Sequence, residues 1–213
     1  MISAYSELYL DDAMQNLGDM VEYAVGELNL DPDEFFSWFI SSGAAAGFEK
    51  GNPRYVTGMS GYELTDYVLN KTNVTWERRE PSYAEERGKE YWAGWILAYY
   101  QWLTGKRFED LLKDGLSLST VLSLYILHEA DDSKFVEAAN EIIRRNKADR
   151  RTRLYEIRRS RGFTQRQLSE ASGVSLRMIQ LYEQRQNDIS KAQVHMVVHL
   201  AHVLGCAVED LLE

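Results

Sequence analysis

Cysteine is all but missing. Cys206 is the only one in 213 residues, so no disulfide can form within the chain, and a chain of this length can bury enough surface to fold without one. Three prolines and 14 glycines exclude a collagen-like or low-complexity chain. Long apolar runs are lacking too: the most apolar stretch, Trp92 to Tyr100, falls far short of the ~20 residues a membrane-spanning helix needs. The opening residues, MISAYSELYLDDAMQ, hold neither the basic start nor the apolar centre of a secretory signal, so a reducing cytoplasm is the expected location. The sequons Asn70-Lys71-Thr72 and Asn73-Val74-Thr75 then count as chance. Walker loop, nucleophile elbow, zinc-protease helix and dinucleotide fingerprint are all absent, so neither an enzyme activity nor a cofactor is expected. What remains is 45% hydrophobic and 27% charged, an ordinary globular composition with room for one large or two small domains.

Charge separates two segments. The net value of −9 argues against a polyanion partner for the chain as a whole. Residues 1–149, however, carry 14 basic against 26 acidic side chains (−12), whereas residues 150–213 carry 10 against 7 (+3). Arg144, Arg145, Lys147, Arg150, Arg151, Arg153, Arg158, Arg159 and Arg161 crowd into eighteen residues at the junction, interrupted in sign only by Asp149 and Glu156. Such a run is either a solvated helix face or an electrostatic footprint for nucleic acid.

The first segment reads as helices throughout. Met14, Leu17, Met20, Val21, Ala24, Val25 and Leu28 recur at steps of three and four, an amphipathic stripe. Asp31-Pro32-Asp33-Glu34 supplies an N-cap, a first-turn proline and an acid at N3. Ser60-Gly61-Tyr62-Glu63 and Ser82-Tyr83-Ala84-Glu85 repeat the capping-box pattern. The second of these precedes a stripe of Tyr91, Trp92, Trp95, Ile96, Tyr99, Trp102 and Leu103, expected to be the central helix. Shorter helices follow near Phe108–Lys113 and Thr120–Leu127, then one through Phe135, Val136, Ala139, Ile142 and Ile143. No strand alternation is present. All five tryptophans and eleven of thirteen tyrosines precede residue 150, as core packing or as a recognition surface.

The last sixty residues are punctuated more sharply. Arg153 to Arg161 forms one helix, with Leu154 and Ile157 inward and the arginines outward, closed by Gly162-Phe163. Thr164-Gln165-Arg166-Gln167 is a capping box for a short helix burying Leu168 and Ala171. Gly173 stands where a tight turn needs a positive φ, and Ser175 caps a third helix, Leu176 to Gln184, with Ile179 and Tyr182 inward. A further capping box, Ser190 to Gln193, starts a helix burying Val197, Leu200, Ala201 and Leu204, which Gly205 ends before Val208 to Leu212.

The run RLYEIRRSRGFTQRQLSEASGVSLRMIQLYEQ, followed by LAHVLGCAVEDLL, resembles the Cro/C1-type (XRE) helix-turn-helix family over residues 151–213. Together with the helical reading of the first segment, it gives an all-α chain: a helical domain at 1–145, then a five-helix DNA-binding domain at 146–213. It also implies a recognition helix in the major groove whose outward residues are Leu176, Arg177, Gln180, Leu181 and Gln184. Arg177 is suited to guanine O6/N7, and Gln180 or Gln184 to adenine N6/N7. Leu176 and Leu181 fit either a thymine methyl or a dimer mate. Gln165 matches a position that touches the backbone and at times a base, while Arg166, Arg185, Asn187 and Lys191 are the expected phosphate contacts. Where many relatives have glycine after the Glu183 position, this chain has Gln184-Arg185-Gln186-Asn187.

His195, His199 and His202 share one helical face, but three ligands from one straight helix rarely close a tetrahedron, so no metal is expected. His128 beside Glu129, Asp131 and Asp132 reads as a helix end followed by an N-cap. The partner expected is double-stranded DNA, bound by a homodimer whose contact lies in residues 1–145, with no membrane involved. The function read from the sequence is a transcriptional regulator acting as a repressor. The alternative is an antitoxin whose first domain grips a toxin protein while the second represses the operon; a small-molecule effector is the remaining occupant for that domain.

Overall fold

The computed structural model describes residues 3–77, 79–80, 87–149 and 151–212. Helices make up 70% of it and no strand is formed among the described residues. The Ser82–Glu85 capping box and Arg150 of the basic run lie outside the described residues. Two compact units divide the chain at Met1–Arg144 and Arg145–Glu213, and the division falls inside α9.

The first unit comprises α1 (Leu10–Val21), α2 (Pro32–Ser41), α3 (Ala44–Phe48), α4 (Pro53–Val56), α5 (Gly61–Lys71), α6 (Lys89–Thr104), α7 (Phe108–Lys113), α8 (Leu118–Ser123) and most of α9 (Asp132–Asp149). The caps explain where several of them begin. Asp31 accepts from the Asp33 and Glu34 amides at the start of α2, with Pro32 at the first helical position. Ser60 and Glu63 form the full reciprocal box of α5. Asp33 serves a neighbour as well, accepting from the Ser119 amide at 2.9 Å and from the Ser117 hydroxyl at 3.3 Å at the first turn of α8.

The first stripe runs beyond α1 into a π-helical turn, Glu22–Glu27, in which the Leu28 amide reaches back to the Tyr23 carbonyl. The wider turn buries Tyr23 and Ala24 and leaves Val25 and Leu28 only partly covered.

The core corrects the expected face of α6. Its fully buried residues are Ala93, Gly94, Ile96, Leu97, Ala98, Tyr100 and Gln101, whereas Tyr91, Trp92, Trp95, Tyr99 and Trp102 lie half-buried at its margin. Small residues win that face because α1 crosses α6 with backbone near backbone: a Cβ on Gly94 would fall on the Leu17 carbonyl oxygen and 2.7 Å from its carbon. The aromatic residues therefore divide by type. Phe35, Phe36, Phe39, Phe48, Phe108 and Phe135 are no more than 1% exposed, and four of them, Phe36, Phe39, Phe48 and Phe108, interlock at centroid distances of 5.5–6.2 Å. Tilted and edge-to-face pairs of this kind add ~0.5–1.5 kcal/mol each beyond burial. All five tryptophans are half-buried. Tyr100 is the tyrosine drawn inside α6; burial pushes its phenol up to about 12, and it donates to Asn140 Oδ1 of α9 at 2.7 Å.

The second unit is built on a separate core of Leu154, Leu168, Val174, Ile179, Tyr182, Ile189, Val197, Leu200, Ala201, Leu204 and Leu211. Its helices are α10 (Arg153–Ser160), α11 (Gln165–Ser172), α12 (Leu176–Glu183) and α13 (Val194–Leu204), followed by a 3-10 turn, Glu209–Leu211, in place of a fifth α-helix. Two expectations fail. Ala171 is exposed and Ser172 takes the inward place, because Leu168 and Ser172 are one turn apart; the serine hydroxyl donates to the Leu168 carbonyl at 2.7 Å and accepts from Val174. The Ser190–Gln193 capping box does not form, since Asp188 takes both the amide and the hydroxyl of Ser190 and holds Ile189–Lys191 in a 3-10 turn. α13 starts only at Val194, with Gln193 as a bare N-cap.

Alanine is the better helix former by ~1 kcal/mol, yet Gly94→Ala is expected to lower stability by ~1–3 kcal/mol because the methyl has to displace a backbone carbonyl. Urea unfolding followed by tryptophan fluorescence measures it. A variant as stable as the parent would mean that α1 and α6 are not fixed at that crossing.

Candidate nucleic-acid interface

The second unit is organised around a buried ion pair that joins three of its helices. The side chains of Arg158 of α10 and Glu183 of α12 are only 4% and 3% exposed, with Nε–Oε1 at 2.5 Å and Nη2–Oε2 at 2.8 Å, a bidentate fork. Arg158 Nη1 also donates to the Phe163 carbonyl at 2.7 Å, in the turn after α10. Gln165, the first residue of α11, donates its amide to Glu183 Oε2 at 2.8 Å. The Arg158 guanidinium faces the Tyr155 ring at 5.2 Å, and Arg151 faces the same ring at 5.1 Å. The outward place expected for every arginine of α10 is therefore wrong for Arg158. Its phase was legible: Arg158 stands one turn after Leu154, on the inward face.

Between α11 and α12 the chain turns at Gly173, whose φ of +71° is a left-handed value that a side chain would resist. Ser175 then caps α12 by accepting the Met178 amide. At about 100° per residue, Ile179 and Tyr182 point to the core, and Leu176, Arg177, Gln180 and Gln184 fall within one arc of about 100° on the other side. The structure brings these four together. Leu176, Arg177 and Gln184 are exposed and Gln180 is half-exposed, and Arg177 has no hydrogen bond or ion pair among the described residues. Leu181 is different: it is half-buried at the edge of the arc, and its carbonyl accepts the Gln186 and Asn187 amides.

The expected phosphate contacts flank this arc unevenly. Arg166 is exposed at the start of α11 and pairs with Glu170 at 3.1 Å. Lys191 is exposed and lies 3.6 Å from Asp188. Asn187 is exposed, with its amide 4.0 Å from Met178 Sδ. Arg185 is half-buried and takes φ +55°, so an arginine holds the left-handed turn after α12. In the basic run Arg144 is forked onto Glu141 and Arg161 donates to the Gly205 carbonyl, while Arg159 stays exposed. On α13, His195, His199 and His202 are all exposed, with the first two rings 6.2 Å apart. Among the described residues no group of three or more His, Cys, Asp or Glu side chains is placed to hold a metal ion.

A short helix, a left-handed glycine turn and a second helix with a polar outward arc define a helix-turn-helix unit. The family model described as Helix-turn-helix matches residues 154–211, and this segment is a Cro/C1-type domain, as found in DNA-binding transcription regulators of the XRE type. Neither the curated proteins nor the solved structures compared with the chain gave a match. No helix among the described residues is long and apolar enough to cross a membrane.

Glu183→Gln leaves a buried guanidinium without its countercharge and is expected to cost the second unit ~3–5 kcal/mol. Because every tryptophan precedes residue 150, the loss should appear in the helical circular dichroism and leave the tryptophan transition in place. Replacing both partners, Arg158→Met with Glu183→Leu, should cost less than the single change, since no charge is then stranded. A second outcome concerns the turn: Arg185→Gly removes left-handed strain of ~1 kcal/mol and should raise the melting temperature of the second unit. An unchanged or lowered value would show that the arginine's own contacts outweigh the strain.

Proposed function

We propose that the chain is a sequence-specific DNA-binding transcription regulator that represses by occupying its operator as a homodimer. One observation carries the reading: α12 is fixed from beneath by the Arg158–Glu183 fork and offers Leu176, Arg177, Gln180 and Gln184 in one exposed arc. Arg177 supplies a two-pronged donor for guanine O6/N7, and the amides of Gln180 and Gln184 match adenine N6/N7. Arg166, Arg185, Asn187 and Lys191 serve the phosphates, and Gln165, already engaged with Glu183, serves by holding α11 to α12 with its helix start toward the backbone.

A single such helix reads too few base pairs to be selective, so two copies on related half-sites about one helical turn apart supply the rest. The first unit, which holds all five half-buried tryptophans, is the expected seat of the dimer contact, and its net negative charge keeps it off the DNA. Neither a catalytic step nor a cofactor is part of this proposal.

The test is a titration of the full chain onto random duplex and onto a duplex enriched from a random library, at several salt concentrations. Binding should weaken steeply with salt, as counterion release requires. Arg177→Ala should lose ~1–3 kcal/mol on the enriched duplex and little on random DNA, whereas Arg166→Ala should weaken both alike and flatten the salt slope by about one. Equal losses from Arg177→Ala on the two duplexes would remove it from the base-reading set. No enrichment and no retention at low salt would overturn the DNA reading itself.

A further inference from the structure

Leucine is an odd residue to set first on a helix whose exposed arc otherwise holds an arginine and two glutamines. The structure separates the two leucines of α12. Leu181 is half-buried at the edge of the arc, beside the turn that its carbonyl anchors. Leu176 stands inside the arc: it opens α12 directly after the Ser175 cap and is 37% exposed. Its neighbours on the arc are Arg177, Gln180 and Gln184, three side chains rich in donors.

A protein surface packed onto Leu176 would have to desolvate Arg177 and two amides with it, at ~1–3 kcal/mol for each polar group left unsatisfied. The major groove asks for no such sacrifice. There, acceptors and donors on the base edges alternate with one apolar group, the methyl on C5 of a pyrimidine, and the N-terminal residues of a recognition helix lie nearest to them. We infer that Leu176 reads a pyrimidine C5-methyl, so that the half-site carries a 5-methylpyrimidine next to the base pair read by Arg177. This rests on the DNA reading above and deepens it: it names the chemical group, shared by thymine and 5-methylcytosine, that the aliphatic position recognises.

Single-atom changes in the DNA test it. The duplex enriched by the full chain is resynthesised with deoxyuridine at one thymine at a time, and separately with 5-methylcytosine at one cytosine at a time. Removing one well-buried methyl should weaken binding about three- to five-fold per half-site. One thymine in each half-site should show that loss, or, if the half-site instead holds cytosine there, 5-methylcytosine should strengthen binding by the same factor. Leu176→Ala should abolish the methyl effect at that position and no other, while Arg177→Ala keeps it. Leu176 is exposed and alanine favours helix, so the variant is expected to melt like the parent.

If no position responds to its methyl, or if the response survives Leu176→Ala, the inference is wrong. Loss of the dimer on sedimentation of Leu176→Ala, with base preference unchanged, would assign the leucine to a second copy of the chain instead. Failure to enrich any duplex is a different result, since it removes the DNA reading before the methyl arms are reached.

Discussion

The bidentate pair between Arg158 and Glu183 is the constraint on which the second unit depends. A helix-turn-helix unit of this size has a small core, and eleven buried residues cannot by themselves fix the tilt of an eight-residue helix. The fork does so by geometry: a planar guanidinium accepts only one orientation of the carboxylate, and Glu183 sits at the last helical position of α12. Because the same carboxylate takes the Gln165 amide and the same guanidinium takes the Phe163 carbonyl, α10, its closing turn, α11 and α12 share one polar centre. A half-satisfied network would be worse than an apolar core. Here the carboxylate and the guanidinium each meet more than one partner.

That arrangement bears on how the exposed arc works. Base readout requires side chains held within a fraction of an ångström, and a recognition helix gains nothing from a good arginine if the helix can roll. The Ser175 cap and the Gly173 turn fix where α12 starts, and the buried pair fixes where it ends. The left-handed Arg185 just beyond is the strained part of the unit. A non-glycine residue in that conformation costs ~1 kcal/mol, and the chain accepts the cost at Arg185.

Much of the second unit was legible from local chemistry, because its punctuation is dense. Thr164, Gly173, Ser175 and Gly205 each specify one backbone conformation, and the helix ends they mark appear where they were expected. The misses share a cause, competition between near neighbours. Ser190 had the spacing of a cap, but Asp188, two residues earlier, is the stronger acceptor and took it. Arg158 counted as one more cation in a basic run, while its helical phase already placed it beside Leu154. In the first unit the failure is of another kind. Large aromatic residues on α6 promised the buried face, but a close crossing selects for the absence of side chains, so Ala93, Gly94 and Ala98 lie inside and the tryptophans at the margin. Residue size reports how much area can be buried; backbone proximity decides where.

The division of charge adds a further constraint on a regulator of this design. Residues 1–149 carry −12 and residues 150–213 carry +3, so phosphate attraction is confined to a modest cationic surplus on a chain that is acidic as a whole. Non-specific affinity comes almost wholly from phosphates and is lowered by such a balance, whereas contacts to base edges are short-ranged and are not. The acidic excess therefore lowers affinity for operator and random DNA alike, and the ratio between them is left to base-edge contacts. Under that balance uncharged side chains such as Gln180, Gln184 and Leu176 of the arc, if they meet base edges as proposed, would add to recognition without strengthening the hold on every other sequence.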